Sequence, residues 1–265
     1  MIFGILNITD DSFSDGGKYL KTEAAIAHGR KLIADGADVL DIGAASSNPE
    51  SKGVPPEIEI ARLAPVIEVL RREGVKLSIY TFAPQVQRWV VAQGVAYLND
   101  IQGFPDPALY PAFAASDVKL IVMHSVQERG PATRVAWEAE EVFDHCLSFF
   151  ETRLAALTQA GIARARLILD PGMGFFLGAN PDASFAMLRR LPELKRAFNL
   201  PLLVSVSRKS FLRRLTGRGV SELGAATLAA ELFALAQGAD HIRTHEPAPL
   251  KDGRAVWRAL DGNDR

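Results

Sequence analysis

The chain has 265 residues, 48 % hydrophobic and 23 % charged, proportions of an ordinary folded domain that exclude disorder, collagen and fibrous repeats. Its 30 basic and 31 acidic side chains leave a formal net charge of −1, so no overall field recruits nucleic acid or an anionic membrane. No apolar run approaches the roughly 18 residues that a membrane-spanning helix needs, and any anionic ligand must be held by local groups.

Short apolar runs alternate with longer segments of helical period, about eight times along the chain, the pattern of parallel strands joined by crossover helices. The strands are expected at Ile2–Leu6, Asp38–Ile42, Lys76–Ile79, Ala96–Asn99, Lys119–Met123, Leu167–Leu169, Leu202–Val204 and His241–Arg243. Nearly all their residues are apolar, as in strands buried on both faces. Helices are expected at Thr22–Ala34, Glu57–Arg72, Pro84–Ala92, Ala139–Gln159, Asp182–Phe198, Ser221–Ala236 and Leu250–Leu260, with only a weak helical signal over Pro105–Ser116. Gly36, Gly74, Gly94 and Gly238 each follow a last helical turn about two residues before a strand, which fits short αβ loops. His28 and His145 fall inside helical segments and read as surface or packing residues. Cys146, in a helix beside Leu147 and Phe149, reads as a small hydrophobe. A lone cysteine makes no internal disulfide and no charged-then-apolar leader precedes Gly4, so a reduced, cytoplasmic compartment is expected.

A doubly wound open sheet shares this alternation. Polar side chains decide between the two: Asn7, Asp41, Tyr80, Asn99, Asp100, His124, Asp170, Ser205 to Lys209, Arg243 and His245 fall at or near the C-terminal ends of successive strands. A barrel gathers those ends on one face, where an active site is built, whereas an open sheet spreads them along an edge. The expected fold is therefore a single (βα)8 TIM barrel over residues 1–265 with its site at the C-terminal face of the strands.

The motifs sit at those ends. Gly4-Ile5-Leu6-Asn7 runs into the polar loop Asp11-Ser12-Phe13-Ser14-Asp15-Gly16-Gly17. Asn7 either offers its carboxamide oxygen to a hard cation such as Mg²⁺ or caps a turn. Asp170-Pro171-Gly172 places a carboxylate at a strand tip, suited to a planar pair of N–H donors or to capping. In Ser205-Val206-Ser207-Arg208-Lys209-Ser210 two adjacent cations open a helix, where backbone N–H groups also face an anion. One is expected to meet ligand and the other a structural acid. Arg243-Thr244-His245 closes the last strand, where barrels commonly bind phosphate. His124 either supports the site or touches the ligand.

Taken together with Asp41-Ile42-Gly43, Asn99-Asp100-Ile101 and Met123-His124, these motifs resemble dihydropteroate synthase, in register from about residue 2 to residue 246. Ala45-Ser46-Ser47, Tyr97-Leu98-Asn99-Asp100-Ile101, Gly103-Phe104-Pro105-Asp106 and Gly174-Phe175-Phe176-Leu177 are most similar to the mobile, sulfonamide-insensitive members. The resemblance implies condensation of 6-hydroxymethyl-7,8-dihydropterin pyrophosphate with p-aminobenzoate to 7,8-dihydropteroate and pyrophosphate, with Mg²⁺ as cofactor. By resemblance, Asn99, Asp170, Lys209 and Tyr80 meet the pterin. Asn7, Arg243 and His245 meet the pyrophosphate, and Asn7 also the metal. Ser207, Phe175, Phe176 and Ser47 meet the aminobenzoate, and Lys209, Asp170, Arg243 and His245 carry the catalysis. The loops Asp11–Gly17 and Ser46–Pro49 resemble those that close over the reaction, and a homodimer is common in the family.

The chain departs from the family's pattern in three places. Ser78-Ile79-Tyr80-Thr81 carries a phenol where the family has a pterin-contacting carboxylate. Losing one charge-assisted hydrogen bond to a buried ligand costs roughly 1.5–3 kcal/mol. Ser47-Asn48 stands for Thr-Arg, and Phe176-Leu177 for Gly-Lys, the former adding bulk beside the aminobenzoate subsite. Two other functions fit the same fold: an impaired pterin-binding barrel, because of Tyr80, and a methyltransferase barrel of the corrinoid type.

Overall fold

The computed structural model describes residues 1–8, 18–45, 53–127, 137–260 and 262. Strands and helices alternate: β1 (Ile2–Asn7), α1 (Lys18–Ala34), β2 (Val39–Gly43), α2 (Pro56–Arg72), β3 (Leu77–Tyr80), α3 (Pro84–Val91), β4 (Tyr97–Asp100), α4 (Tyr110–Ala114) and β5 (Lys119–Met123). They continue with α5 (Ala139–Gln159), β6 (Leu167–Asp170), α6 (Pro181–Arg189), α7 (Leu191–Phe198), β7 (Leu203–Val204), α8 (Ser210–Thr216), α9 (Gly224–Ala236), β8 (His241–Thr244) and α10 (Pro247–Leu260). All strand pairs are parallel, in the order β6-β5-β4-β3-β2-β1-β8-β7. A bridge from Leu169 to Leu202 joins β6 to the segment entering β7, so the sheet closes into a (βα)8 barrel.

Side chains alternate across that closed sheet, and two cores result. Leu6, Leu40, Ile42, Leu98, Val122, Leu169 and Ile242 point outward into one continuous core with the helices. Phe3, Val39, Tyr97, Ile121, Ile168 and Leu203 point inward and plug the N-terminal end of the barrel. Farther along the same strands the inward positions turn polar: Asp41, Ser78, Asn99, Asp170, Ser205 and Arg243. An apolar floor thus carries a polar layer, and everything above that layer opens at the C-terminal face.

The helices form where caps and apolar stripes permit. α2 starts on Pro56 with Glu57 and Glu59 in its first turn and ends on Arg71 and Arg72, each complementing the helix dipole, while Leu63, Val66, Ile67 and Leu70 face the core. Gly36 ends the first αβ unit at φ 105°, a conformation open to glycine, and lets Ala37 N–H reach back to Leu32 O at 3.0 Å.

Three helix expectations are corrected. The single helix predicted over Asp182–Phe198 is two, α6 and α7, because Pro192 has no N–H to give the turn before it and its ring crowds that turn's carbonyl, so the chain breaks at Arg190 and Pro192 sits in the first turn of α7. The helix predicted from Ser221 starts at Gly224, and the cations after β7 open a separate short helix, α8, stopped by Gly217 at φ 69°. The weak signal over Pro105–Ser116 resolves into a turn capped by Asp106, whose Oδ1 accepts from Ala108 N–H at 3.0 Å, and the five-residue α4.

Candidate active site

The polar layer opens into a cavity of about 180 Å³, lined by Asn7, Tyr80, Asn99, Asp170, Lys209, Arg243 and His245 together with Ile5, Ala45, Met123, Gly172, Met173, Phe176 and Ser205. Eight of the residues expected from sequence, Phe176 among them, therefore converge from six strand ends. Ser47, and with it the loops at Asp11–Gly17 and Ser46–Pro49, lies outside the described residues.

Asp41, fully buried in β2, anchors the floor. Its Oδ2 accepts from Arg243 Nε at 2.5 Å and from Asn99 Nδ2 at 3.4 Å, while its Oδ1 has no hydrogen-bond partner among the described residues. Burial works against the Arg243 cation, but Asp41, Tyr80 and Asp170 outweigh it and raise its affinity for the proton. The guanidinium lies 5.0 Å from the centre of the Tyr80 ring, a cation–π contact. Asn99 Oδ1, Ser78 Oγ and Ser205 Oγ also lack partners among the described residues. Buried polar atoms are rarely left alone, so this concentration marks a surface built for a hydrogen-bonding ligand.

Asp170 ends β6. One oxygen accepts from Gly172 N–H at 2.8 Å, and burial pushes the carboxyl up to about 6, against the pull of Gly172, Lys209 and Arg243. Its loop is fixed from behind. His124 donates its main-chain N–H to Asp170 O at 2.8 Å, and its Nδ1 lies 3.0 Å from Pro171 O. A carbonyl only accepts, so His124 Nδ1 carries the proton and Nε2 accepts from His145 Nδ1 at 2.9 Å. Burial holds the His124 ring down to about 3, neutral, and its role is support. Gly172 adopts φ 74°, and a Cβ there would lie 2.4 Å from His124 O, so only glycine lets the loop pass.

Burial and Arg243 pull the Lys209 ammonium down to about 8, against the attraction of Asp170. Its Nζ stands 4.9 Å over the Phe176 ring, which forms part of the cavity wall. Arg208, at φ 59°, turns the other way to Glu246 at 3.7 Å, so the two cations divide as expected. His245 is pushed down to about 3 by burial and by Arg243, Arg208, Lys209 and His28. Ser207 Oγ accepts from His245 N–H at 3.3 Å and lies 2.9 Å from Nδ1. Ser207 thus holds the ring by its Nδ1 edge, leaving Nε2 for the cavity.

Two expected aminobenzoate contacts are placed differently. Ser207 is buried beneath His245 and does not line the cavity, and Phe175 lines a second hollow on the other side of its turn. Sequence reasoning places Asp41 and Ser205 at strand ends without giving them a role, and misses Met123 and Met173 as part of the site. The first two carry a signal: each is a polar residue at an inward position of a strand whose neighbours are apolar. The methionines carry none.

A hard cation at the pyrophosphate end would have the oxygen of Asn7, which is exposed at the tip of β1 and makes no hydrogen bond among the described residues. No cluster of three or more acidic, histidine or cysteine side chains suited to a metal occurs among those residues. Mg²⁺ is commonly held by one or two protein oxygens together with substrate phosphates and water. No helix among the described residues is long and apolar enough to cross a membrane.

The chain matches the pterin binding enzyme family over residues 3–245. It is 60 % identical to dihydropteroate synthase type-2 of Escherichia coli over 260 residues, 98 % of this chain and 96 % of that one. To the type-3 enzyme of the same organism it is 53 % identical over 259 residues, 98 % of each chain. The solved structure of Xanthomonas albilineans dihydropteroate synthase with 4-aminobenzoic acid superposes with a TM-score of 0.89 at 36 % identity, covering 98 % of this chain and 92 % of that one. The same enzyme in complex with 7,8-dihydropteroate gives 0.86 at 36 %, covering 98 % and 93 %.

Proposed function

The chain belongs to the pterin binding enzymes, in their dihydropteroate synthase family, and from that premise we infer that it condenses 6-hydroxymethyl-7,8-dihydropterin pyrophosphate with p-aminobenzoate. The observation that carries this reading is the pairing of unsatisfied buried acceptors with fixed cations in one cavity. The amino-pyrimidine edge of a pterin is a planar row of donors and acceptors. Asn99 Oδ1 and the second oxygen of Asp170 offer acceptors to it, and Lys209 a donor. Tyr80 contributes an aromatic wall in place of a carboxylate. Asp41 supplies a carboxylate one layer below, through Arg243.

The reaction breaks the bond between the pterin's methylene carbon and the pyrophosphate oxygen, with the electron pair leaving on oxygen. The arylamine nitrogen forms the new carbon–nitrogen bond and gives up a proton. An electron-rich dihydropterin supports a cationic methylene, so the displacement is dissociative. An arylamine is already nucleophilic, and no strong base is required. The protein's work is to absorb leaving-group charge and to position the partners. Arg243, clamped by Asp41, and the Nε2 edge of His245 face the departing pyrophosphate. Mg²⁺, held by Asn7, would add Lewis-acid neutralisation of the same oxygens. Ser207 acts through His245, while Phe176 and Ser47 remain the proposed aminobenzoate contacts.

Sulfonamide insensitivity, and with it a resistance role, belongs to this proposal. The Phe176 ring is buried and packed under the Lys209 ammonium, which restrains it from swinging aside. A tetrahedral sulfone is thicker than a planar carboxylate, and a fixed ring can admit one and exclude the other. A cytoplasmic homodimer is also proposed; Leu215, Val220 and Phe233, around α8 and α9, are exposed apolar side chains available to a second copy. Calorimetric titration with each substrate tests the reading. Both are expected to bind one per chain, with Asp170→Asn and Lys209→Ala each weakening the pterin about tenfold or more. A chain that binds neither substrate would be a scaffold.

A further inference from the structure

His145 has no part in the mechanism above. It stands on α5 next to the core positions Val142, Phe143 and Cys146, and it is half-buried. It lies outside the lining of the cavity; with Ile101, Gln102 and Ser148 it lines a separate hollow between α5 and the loop after β4. Its Nδ1 donates to His124 Nε2 at 2.9 Å, and His124 Nδ1 donates in turn to Pro171 O at 3.0 Å. Aromatic rings enclose the pair. Trp137 lies 5.4 Å from the His145 ring, and Phe149 and Phe150 lie 5.4 and 6.3 Å from the His124 ring, centre to centre. In such apolar surroundings a hydrogen bond is stronger than in water and costly to leave unmade.

The relay ends on the segment that aims Asp170. Asp170 O accepts from His124 main-chain N–H at 2.8 Å, and Pro171 O accepts from the His124 ring. Gly172 passes so close to His124 O that a Cβ would meet it at 2.4 Å. Its N–H holds one oxygen of Asp170 at 2.8 Å and leaves the other to the cavity. Pro171 O has a donor only while the His124 proton sits on Nδ1. A neutral imidazole carries one proton for two nitrogens, and the partner of one nitrogen decides the state of the other. The N–H of His145 at Nε2 therefore selects the tautomer that Pro171 needs. The opposite tautomer would set two donors against each other at His145 and two lone pairs against each other at Pro171.

Resting on the synthase reading, we propose that His145 is a positioning residue for the pterin: by fixing the tautomer of His124 it holds Pro171 and Gly172, and so sets where the free oxygen of Asp170 meets the ligand's N–H edge. The residue touches no substrate. Its effect falls on pterin affinity, because the Lys209 ammonium and the Arg243 fork are anchored on other strands.

The test compares His145→Asn, His145→Gln and His145→Leu in the full chain. Asn can place an amide N–H where the imidazole Nδ1–H stands, Gln carries the same amide one carbon farther out, and Leu carries no donor. Calorimetric titration with the pterin pyrophosphate and Mg²⁺ is expected to give a Kd within about twofold of the parent's for Asn and about tenfold weaker for Gln and Leu, the loss of one buried hydrogen bond. Half-saturation by p-aminobenzoate in pyrophosphate release should shift far less than pterin affinity does. Nitrogen NMR of histidine-labelled protein is expected to show His124 protonated at Nδ1 alone in the parent and in His145→Asn, and to lose that single form in His145→Gln. Equal pterin affinity for the Asn and Gln variants, equal shifts for both substrates, or a His124 tautomer indifferent to His145 would overturn the proposal. The Gln variant decides the matter if Leu unfolds. Absence of pterin binding by the unaltered chain would overturn the synthase reading itself, and this proposal with it, whichever tautomer His124 holds.

Discussion

Arg243 and Asp41 stand 202 positions apart in the chain and meet inside the barrel, Nε to Oδ2 at 2.5 Å, on strands that flank β1 on either side. The pair is what turns an arginine at the last strand tip into a fixed anion fork. Asp41 is fully buried and Arg243 nearly so, so neither charge is well hydrated without the other.

Asp41→Asn leaves that guanidinium without its counter-charge, and the fold is expected to lose about 3–5 kcal/mol in urea unfolding. The double variant Asp41→Asn with Arg243→Met should recover most of this stability. It should not recover turnover, because the leaving group then has no fork. Recovery of both would make the pair purely structural.

The pH dependence follows from two shifted groups. Asp170 must be ionised to accept ligand N–H groups, and burial puts its titration at about 6. Lys209 must be charged, and burial with Arg243 puts its titration at about 8. kcat/KM for the pterin substrate is therefore expected to fall below about pH 6 and again above about pH 8. A profile flat from pH 5 to 9 would remove both groups from the binding step.

Glu231, buried on α9 beside Thr244, has its carboxyl raised to about 8 from an ordinary 4.5, by burial first and by Glu246 in addition. A raised folded-state pKa means that its contribution to stability is full below about 4.5 and is lost as pH climbs to 8. Glu231→Gln keeps the shape without the charge. Its stability advantage is expected to be near zero at pH 4.5, to grow by about 1.4 kcal/mol per pH unit, and to level off above pH 8. Denaturant melts at three pH values would show it. Equal stability of the two proteins at pH 8 would contradict a neutral buried Glu231.

Phe176→Gly opens the wall beside Lys209. Inhibition by sulfamethoxazole is expected to strengthen at least tenfold, with the KM for aminobenzoate changing far less. Inhibition unchanged from the parent would place the origin of insensitivity elsewhere.

Much of this architecture is legible in the chain. The strand ends are marked by polar residues, and barrel closure follows from gathering them: Asn99, Asp170, Lys209, Arg243 and His245 meet as the alternation implies. What is harder to read is which way a side chain faces. Asp41 looks like another strand-tip acid, yet it lies one layer below the ligand and acts through Arg243. Ser207 and Lys209 sit two residues apart, but only the latter reaches the cavity, since the chain turns at Arg208 in a left-handed conformation that no motif announces. Phe175 and Phe176 are adjacent and identical in type, and only the turn decides which faces the cavity. The break at Arg190 has its cause in Pro192, but the apolar period of Asp182–Phe198 runs on through it and so reads as one helix.

Tyr80 is the departure on which the assignment of activity turns, because the family's carboxylate is absent and a ring packed on Arg243 stands in its place. The most direct measurement is pyrophosphate release with Mg²⁺, the pterin pyrophosphate and p-aminobenzoate, for the unaltered chain beside Tyr80→Asp. Release by the unaltered chain that needs both substrates, at a rate comparable to the variant's, is the predicted result. Release by Tyr80→Asp alone would contradict it, leaving an intact barrel and anion site around a pocket that no longer holds its pterin.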